Sequence, residues 1–196
     1  MLTRFERHKL ELTGETVVLR PPRDTDYAAW SALRQENEAH LKPWEPIWPA
    51  HANSRTDWAS RLRSWKKAWR DRTGFAFLIE RAMSRDLVGS IALWNVRYGS
   101  ARTGSVGYWL CSEAEGTGAM TQALNLVCAF GFSDLGLARI EAGTLPENDR
   151  SQGVLRRCGF QQEGYARQFL EIAGERRDHV LFARLANDPL SPMADI

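Results

Sequence analysis

Three strand-like runs follow one another with no helix between them. Phe75–Glu80, Leu87–Val96 and Ser105–Leu110 are short, rich in apolar, β-branched and aromatic residues, and separated by turn residues. That spacing predicts an antiparallel meander. Successive parallel strands would each need a crossover of about a dozen residues or more, usually a helix, so a regular doubly wound sheet is excluded.

The flanking segments supply the helices. A strand is expected at Thr16–Arg20, ended by Pro21-Pro22. Asp24 is read as the cap of a helix reaching about Glu38, with Tyr27, Trp30 and Leu33 at helical spacing. The run His40–Pro49 holds three prolines and cannot be regular helix. Ser54 is read as the cap of a second helix whose stripe is Trp58, Leu62, Trp65 and Trp69. Such a stripe at this spacing reads as core.

Beyond the meander, a helix is expected to run to about Phe132, with Ala123, Leu124, Val127, Cys128 and Phe130 inward. Ala138–Thr144 reads as a strand and Asn148–Cys158 as a helix closed by Gly159. Phe160–Tyr165, Phe169–Ile172 and Asp178–Arg184 read as the last strands, with Gly174 in the final hairpin. The fold class is therefore α+β with α/β/α layering. One mixed, mostly antiparallel sheet of about seven strands carries about four helices on its faces.

The chain's 196 residues suit one domain, with a core over about 11–185 and weakly ordered ends at about 1–12 and 186–196. No run approaches the roughly 20 apolar residues of a membrane span. The N-terminal stretch lacks the apolar core of a secretory signal, so a cytoplasmic location is expected. Cys111, Cys128 and Cys158 are odd in number and widely spaced, which speaks against disulfides and against a zinc site. Cys128 and Cys158 are read as small core residues. A net charge of +2 without a basic run does not suggest a nucleic-acid partner. Trp44, Trp48, Trp58, Trp65 and Trp69 crowd one stretch, which fits core, a substrate wall or an interface.

The chemistry begins at Gly116-Thr117-Gly118, between a strand ending near Leu110 and a helix starting near Gly118. Helix N-termini expose unpaired N–H groups and partial positive charge, and glycines let a phosphate approach the backbone. Gly116, Thr117, Gly118, Ala119 and Met120 are thus a candidate pyrophosphate cradle. The plain alternative is a glycine turn before a helix. A P-loop is excluded because no Gly-Lys-Ser/Thr follows. A dinucleotide fingerprint fits poorly, because Thr121 stands at its third glycine and the preceding strand belongs to a meander.

The run from Gly107-Tyr108-Trp109-Leu110 to Gly116-Thr117-Gly118-Ala119-Met120 resembles the acetyl-CoA-binding motif of the GNAT acetyltransferase superfamily. Its pattern, Gln/Arg-x-x-Gly-x-Gly/Ala, aligns with Glu115 to Met120. Gly118 matches the central glycine, and Glu115 and Met120 depart from the pattern. Asn148-Asp149-Arg150-Ser151, followed by Gly159-Phe160 and Glu163-Gly164, resembles the Asn-x-x-Ser pattern of the RimJ/RimL branch, the ribosomal-protein-alanine N-acetyltransferases. Leu41-Lys42-Pro43-Trp44-Glu45-Pro46 resembles a segment of RimJ-like proteins. With Tyr165 and Arg177-Asp178-His179, the resemblance spans about residues 11–185. Asp178-His179 by itself reads as a hydrogen-bonded pair on a strand.

The resemblance implies an acetyl-CoA-dependent N-acetyltransferase without a metal, acting on an amine, foremost the N-terminal α-amine of a protein such as a ribosomal protein. It implies that Trp109, Leu110, Glu115 to Met120, Asn148 and Ser151 hold acetyl-CoA. It also implies a bulge on the Ser105–Leu110 strand, with amides near Tyr108–Leu110 binding the thioester oxygen. Ser151 is the candidate acid for the leaving thiolate. Glu45 and Glu141 are both open as the base. Trp44, Glu45, Trp94 and Asn95 are candidates to line the amine pocket. Acetylation of a small-molecule amine and a non-catalytic CoA-binding regulator are the alternatives, with a monomer or homodimer as the assembly.

Overall fold

The computed structural model describes residues 10–188. Its strands are β1 (Leu12–Thr13), β2 (Val17–Arg20), β3 (Phe75–Arg81), β4 (Leu87–Arg97), β5 (Thr103–Leu110), β6 (Arg139–Thr144), β7 (Gln161–Ile172) and β8 (Glu175–Leu185). Its helices are α1 (Tyr27–Glu36), the single turn α2 (Glu38–Leu41), α3 (Arg55–Asp71), α4 (Ala119–Ala129) and α5 (Asp149–Arg157). The strands form one sheet in the order β1-β2-β3-β4-β5-β6-β8-β7. All neighbours are antiparallel except β5 and β6.

The mixed sheet and its helical faces match the expected class, and the meander is β3-β4-β5. Successive residues of β3 point to opposite faces. Phe77 and Ile79 join the larger core with α4, while Leu78 joins a smaller core with Trp30 of α1 and Trp58 and Leu62 of α3. Trp58 packs 4.9 Å from Trp30, ring centre to ring centre. The expected stripe on α3 is core, although Trp65 is only partly covered and Trp69 turns to Phe75, Phe77 and Phe130.

Several boundaries differ from those expected, each for a local reason. Asp24 does not cap α1; it is exposed and pairs with Lys66 at 2.9 Å. Asp26 accepts from the Arg23 amide at 2.7 Å and grips Arg20 through two bonds of 2.8 Å, so Asp24–Asp26 forms a 3₁₀ turn first. Ser54 does cap α3, accepting from the Asp57 amide at 3.2 Å. The last strands number two, within the two or three expected: β7 runs unbroken through Phe169, accommodating an irregularity at Gln168, where φ is +48°. Gly174 turns the final hairpin at φ +88°. At the N-terminal side, Leu12 pairs with Leu19, so part of the stretch expected to be weakly ordered is strand. Residues 1–9 and 189–196, most of those expected weakly ordered ends, lie outside the described residues.

The feature that positions a site is the parallel pair. β5 and β6 are in register only from Thr103 to Ser105 against Arg139 to Glu141. Beyond that point the strands diverge and the sheet splays. All three cysteines are buried. Burial pushes the thiols of Cys128 and Cys158 up to about 12, which leaves them inert in the core. Among the described residues, no helix is long and apolar enough to cross a membrane.

Candidate active site

β5 builds the centre of the site. The Cys111 amide donates to the Val88 carbonyl at 2.8 Å, on the β4 side. Backbone direction alternates along a strand, so the N–H groups of Val106, Tyr108 and Leu110 point the other way. Beyond the Ser105–Glu141 pair β6 has diverged, which leaves the Tyr108 and Leu110 donors without a ladder partner. The register with β4 is unbroken from Leu110 to Ser105. The expected bulge on β5 is therefore absent over that run. The irregularity lies instead on β4 between Trp94 and Arg97, where Asn95 sits at φ +50°.

The side chains of β5 separate two faces of the gap. Tyr108 packs toward the larger core and Trp109 toward the smaller one. On the Tyr108 side stand the glycine loop, the start of α4 and the start of α5. On the other side an open cleft is lined by Asn95, Arg97, Thr103, Gly104, Ser105 and Glu141. Trp94 lies beside it, paired across the ladder with Ser105.

The glycine loop has the form a diphosphate needs. Gly116 and Gly118 take φ +71° and +80°, and a Cβ at either would meet nothing within 4 Å. The space above the loop is thus open, and only glycine takes this backbone without strain. No side chain caps α4; its first internal bond runs from the Gln122 amide to the Gly118 carbonyl at 3.0 Å. The amides of Ala119, Met120 and Thr121 are left for a ligand or water. The Thr117 hydroxyl donates to the Ala114 carbonyl at 2.8 Å and braces the loop. These donors and this open space fit the pyrophosphate of acetyl-CoA.

Glu115 stands next to this cradle, where a free carboxylate would repel an anion. It is not free. Arg150 of α5 bonds one carboxylate oxygen, and His40 Nε2 lies 3.3 Å from the other. The loop is held from a third side by Asn37, whose side-chain oxygen accepts from the Ser112 amide at 2.8 Å and from its hydroxyl at 3.1 Å. Neither Arg150 nor His40 carries a local pattern that singles it out in the sequence.

Asn148 caps α5, accepting from the Ser151 amide at 3.0 Å. That cap fixes the first turn and aims Ser151 at β5. The Ser151 hydroxyl lies 2.9 Å from the Tyr108 hydroxyl. Burial holds the Tyr108 phenol well above its ordinary range, and the bond with Ser151 offsets only part of that. Tyr108 is therefore a neutral proton donor at any physiological pH.

The two candidate bases have different surroundings. Glu141 lines the cleft, is partly exposed, and accepts one bond from Arg139 Nε at 2.8 Å. Arg139 also pairs with Glu163. Glu45 accepts from both terminal nitrogens of Arg34, at 3.1 and 2.6 Å, and from the Trp48 indole at 2.6 Å. Trp44 is exposed beside it. Asp178 and His179 do not act as a pair. Asp178 accepts from the Tyr165 hydroxyl and the Gln168 amide, which hold it below its usual range, Gln168 contributing most. His179 is buried on the opposite face of the strand, edge-on to Phe169.

Arg34 is absent from the sequence-based candidates, and Trp48 enters them only as one of the five crowded tryptophans. The signal for Arg34 was available: it lies four residues after Trp30, on the apolar stripe of α1. Among the described residues, no cluster of His, Cys, Asp or Glu has the grouping of a metal site.

Residues 16–161 match the acetyltransferase (GNAT) domain family. The chain is 32% identical to the probable N-acetyltransferase YjcK of Bacillus subtilis over 90% of its own length and 98% of that protein. It is also 32% identical to the ribosomal protein uS5-alanine N-acetyltransferase of Escherichia coli, covering 92% of this chain and 93% of that one. Among solved structures it resembles Mycobacterium smegmatis RimJ in complex with CoA-disulfide. There the TM-score is 0.81 at 38% identity, over 87% of this chain and 82% of that one. The ribosomal-protein-S5-alanine acetyltransferase of Vibrio fischeri aligns with TM-score 0.85 at 28% identity, over 94% and 100% of the two chains. Matching family, matching fold and a cradle fitted to a diphosphate agree, and the chain belongs to the GNAT family of acetyl-CoA-dependent acetyltransferases.

Proposed function

We propose that this enzyme acetylates the N-terminal α-amine of a protein, a ribosomal protein being the leading candidate. The observation that carries this reading is the near full-length similarity to the uS5-alanine N-acetyltransferase of Escherichia coli. The cleft chemistry supports it. Its carboxylate, Glu141, is partly exposed and paired with one arginine, so it is open to an acceptor amine in the cleft. An α-amine titrates near 8 and is roughly one quarter neutral at pH 7.5, against about one in a thousand for lysine. A weak base suffices for the first and not for the second.

Acetyl-CoA supplies the activated acetyl group as a thioester. The uncapped start of α4 and the bare backbone of Gly116 and Gly118 receive its diphosphate. The unpaired amides of Tyr108 and Leu110 stabilise negative charge growing on the thioester oxygen. Ser151 protonates the departing sulfur and is itself reprotonated by Tyr108, 2.9 Å away, which regains its proton from water as Glu141 releases one to solvent. Glu141 takes the proton of the amine from the opposite face, directly or through a water. Asn95 lines the acceptor side and Trp94 lies beside it, and the loop carrying Trp44 is proposed as the remaining wall. Such a substrate places the enzyme in the cytoplasm.

The test is a panel of amines incubated with the pure protein and acetyl-CoA, read by thiol release and by mass spectrometry of the acceptor. Acetylated peptide N-termini support the proposal. Thiol release with small amines alone would replace it with the small-molecule reading.

A further inference from the structure

Arg34 is a cation on α1 that is only 3% exposed. A buried charge survives where its partners are complete, and here they come from separate parts of the chain. Both terminal nitrogens donate to Glu45, at 3.1 and 2.6 Å, and Nε donates to the Asn53 side chain at 3.1 Å. The guanidinium lies 4.4 Å from the ring centre of Trp48 and 5.2 Å from that of Trp109. Glu45 and Trp48 belong to the proline-rich loop, Asn53 to the turn that leads from it into α3, and Trp109 to β5.

The same loop is fastened at its far side. The Ala173 amide, in the β7–β8 turn, donates to the Glu45 carbonyl at 2.9 Å. Ile47 fills the space beside Gly174 so closely that a Cβ there would sit 2.8 Å from its Cδ1. A planar guanidinium held through its fork and set against the rings of Trp30, Trp48 and Trp109 is a stiff joint. It ties the loop to the strand whose amides face the thioester.

Glu45 already accepts three charge-assisted or indole bonds. Taking a further proton would leave Arg34 buried without its counter-charge, which is costly. Resting on the amine-acetylation reading above, we infer that Arg34 and Glu45 are positioning residues. They fix the proline-rich loop as the acceptor wall against β5, and Glu45 is not the proton acceptor.

The experiment compares wild type with Glu45→Gln, Arg34→Lys and Arg34→Ala. Each is assayed with acetyl-CoA and a short peptide bearing a free N-terminus across pH, together with CoA calorimetry and hydrogen exchange of residues 42–54. Glu45→Gln keeps an acceptor for Arg34 and Trp48. It should raise the acceptor KM by about tenfold, hold kcat within about threefold and keep the acid limb of the kcat–pH profile. Arg34→Ala should raise that KM by roughly thirtyfold or more and speed exchange in 42–54. Arg34→Lys, a point charge without the fork, should recover only part of the KM. CoA affinity should change by less than about threefold in all three.

Loss of the acid limb with a kcat drop of about a hundredfold in Glu45→Gln would make Glu45 the base and overturn the inference. Should wild type acetylate no peptide, the acceptor reading falls separately. The exchange comparison still decides the joint, because unchanged protection of 42–54 in Arg34→Ala overturns it.

Discussion

Tyr108 and Ser151 place their hydroxyl oxygens 2.9 Å apart, joining β5 to the first turn of α5. Ser151 is positioned by its own helix cap, and Tyr108 by burial against the larger core. Two neutral hydroxyls in series form a short proton path that a single serine would lack. Ser151→Ala is expected to lower kcat by about a hundredfold with little change in CoA affinity, since general acids contribute on that order. Tyr108→Phe should cost less, about tenfold, because Ser151 can be reprotonated by water. Steady-state kinetics beside calorimetry separates the two effects.

The neutral state of Tyr108 gives a pH prediction of definite sign. Its folded-state pKa lies above the ordinary value of 10.0. Below about pH 10 the phenol is protonated in both folded and unfolded chains and contributes no pH dependence. Above that, the unfolded chain releases the proton first, so stability falls as pH rises toward the folded value. The slope is about 1.4 kcal/mol per pH unit for one proton. Tyr108→Phe should remove that component of alkaline destabilisation, which chemical denaturation at pH 9 to 11 would measure. No alkaline limb of kcat below pH 9 should trace to Tyr108.

Glu115 is the departure from the acetyl-CoA-binding pattern, and its partners explain why it is tolerated. With Arg150 and His40 against it, the carboxylate adds little net charge to the cradle. Glu115→Gln should alter CoA affinity by less than about threefold. Arg150→Ala should weaken binding by about fivefold, the order of one exposed ion pair, by freeing the carboxylate. Adding Glu115→Gln to Arg150→Ala should restore most of the loss. Calorimetry on the three variants forms the cycle.

Gly118→Val tests the cradle. Its φ of +80° is strained for any β-branched residue, and the new methyls would occupy the space left open for phosphate. A loss of about 1–2 kcal/mol in stability is expected, with CoA affinity reduced far more than that strain accounts for. Thermal melts with and without CoA measure both.

The contrast between Ser54 and Asp24 shows what was legible in the sequence. Ser54 precedes a strong apolar period, and its cap forms as read. Asp24 looks equally suitable, but Asp26 is claimed by Arg20, which Glu80 also holds from β3. That choice is made by a partner sixty residues away. The β3–β5 meander and the Gly174 hairpin rest on local rules and stand where expected. β1 is a two-residue strand, too short for periodicity to reveal. The bulge moved from β5 to Asn95 on β4, because register is settled between strands and not within one. At the site, Asn148 and Ser151 were legible as cap and first-turn residue. The Arg34–Glu45 joint was not, since nothing local links an arginine on α1 to a glutamate beyond two short helical turns.

Glu141→Gln addresses the base. Removing the carboxylate that lines the cleft should lower kcat by about a hundredfold near neutral pH, less at pH 9 where an α-amine is already neutral. A pH series with a peptide acceptor checks it. Equal loss at both values would assign Glu141 to binding.

The most direct measurement is mass spectrometry of a mixed pool of amines after incubation with the pure enzyme and acetyl-CoA. The pool holds peptides with free and with blocked N-termini, each containing an internal lysine, together with small polyamines. The expected result is a mass gain on the free N-termini alone. Acetylation of lysine in the blocked peptides, or of the polyamines alone, would contradict it.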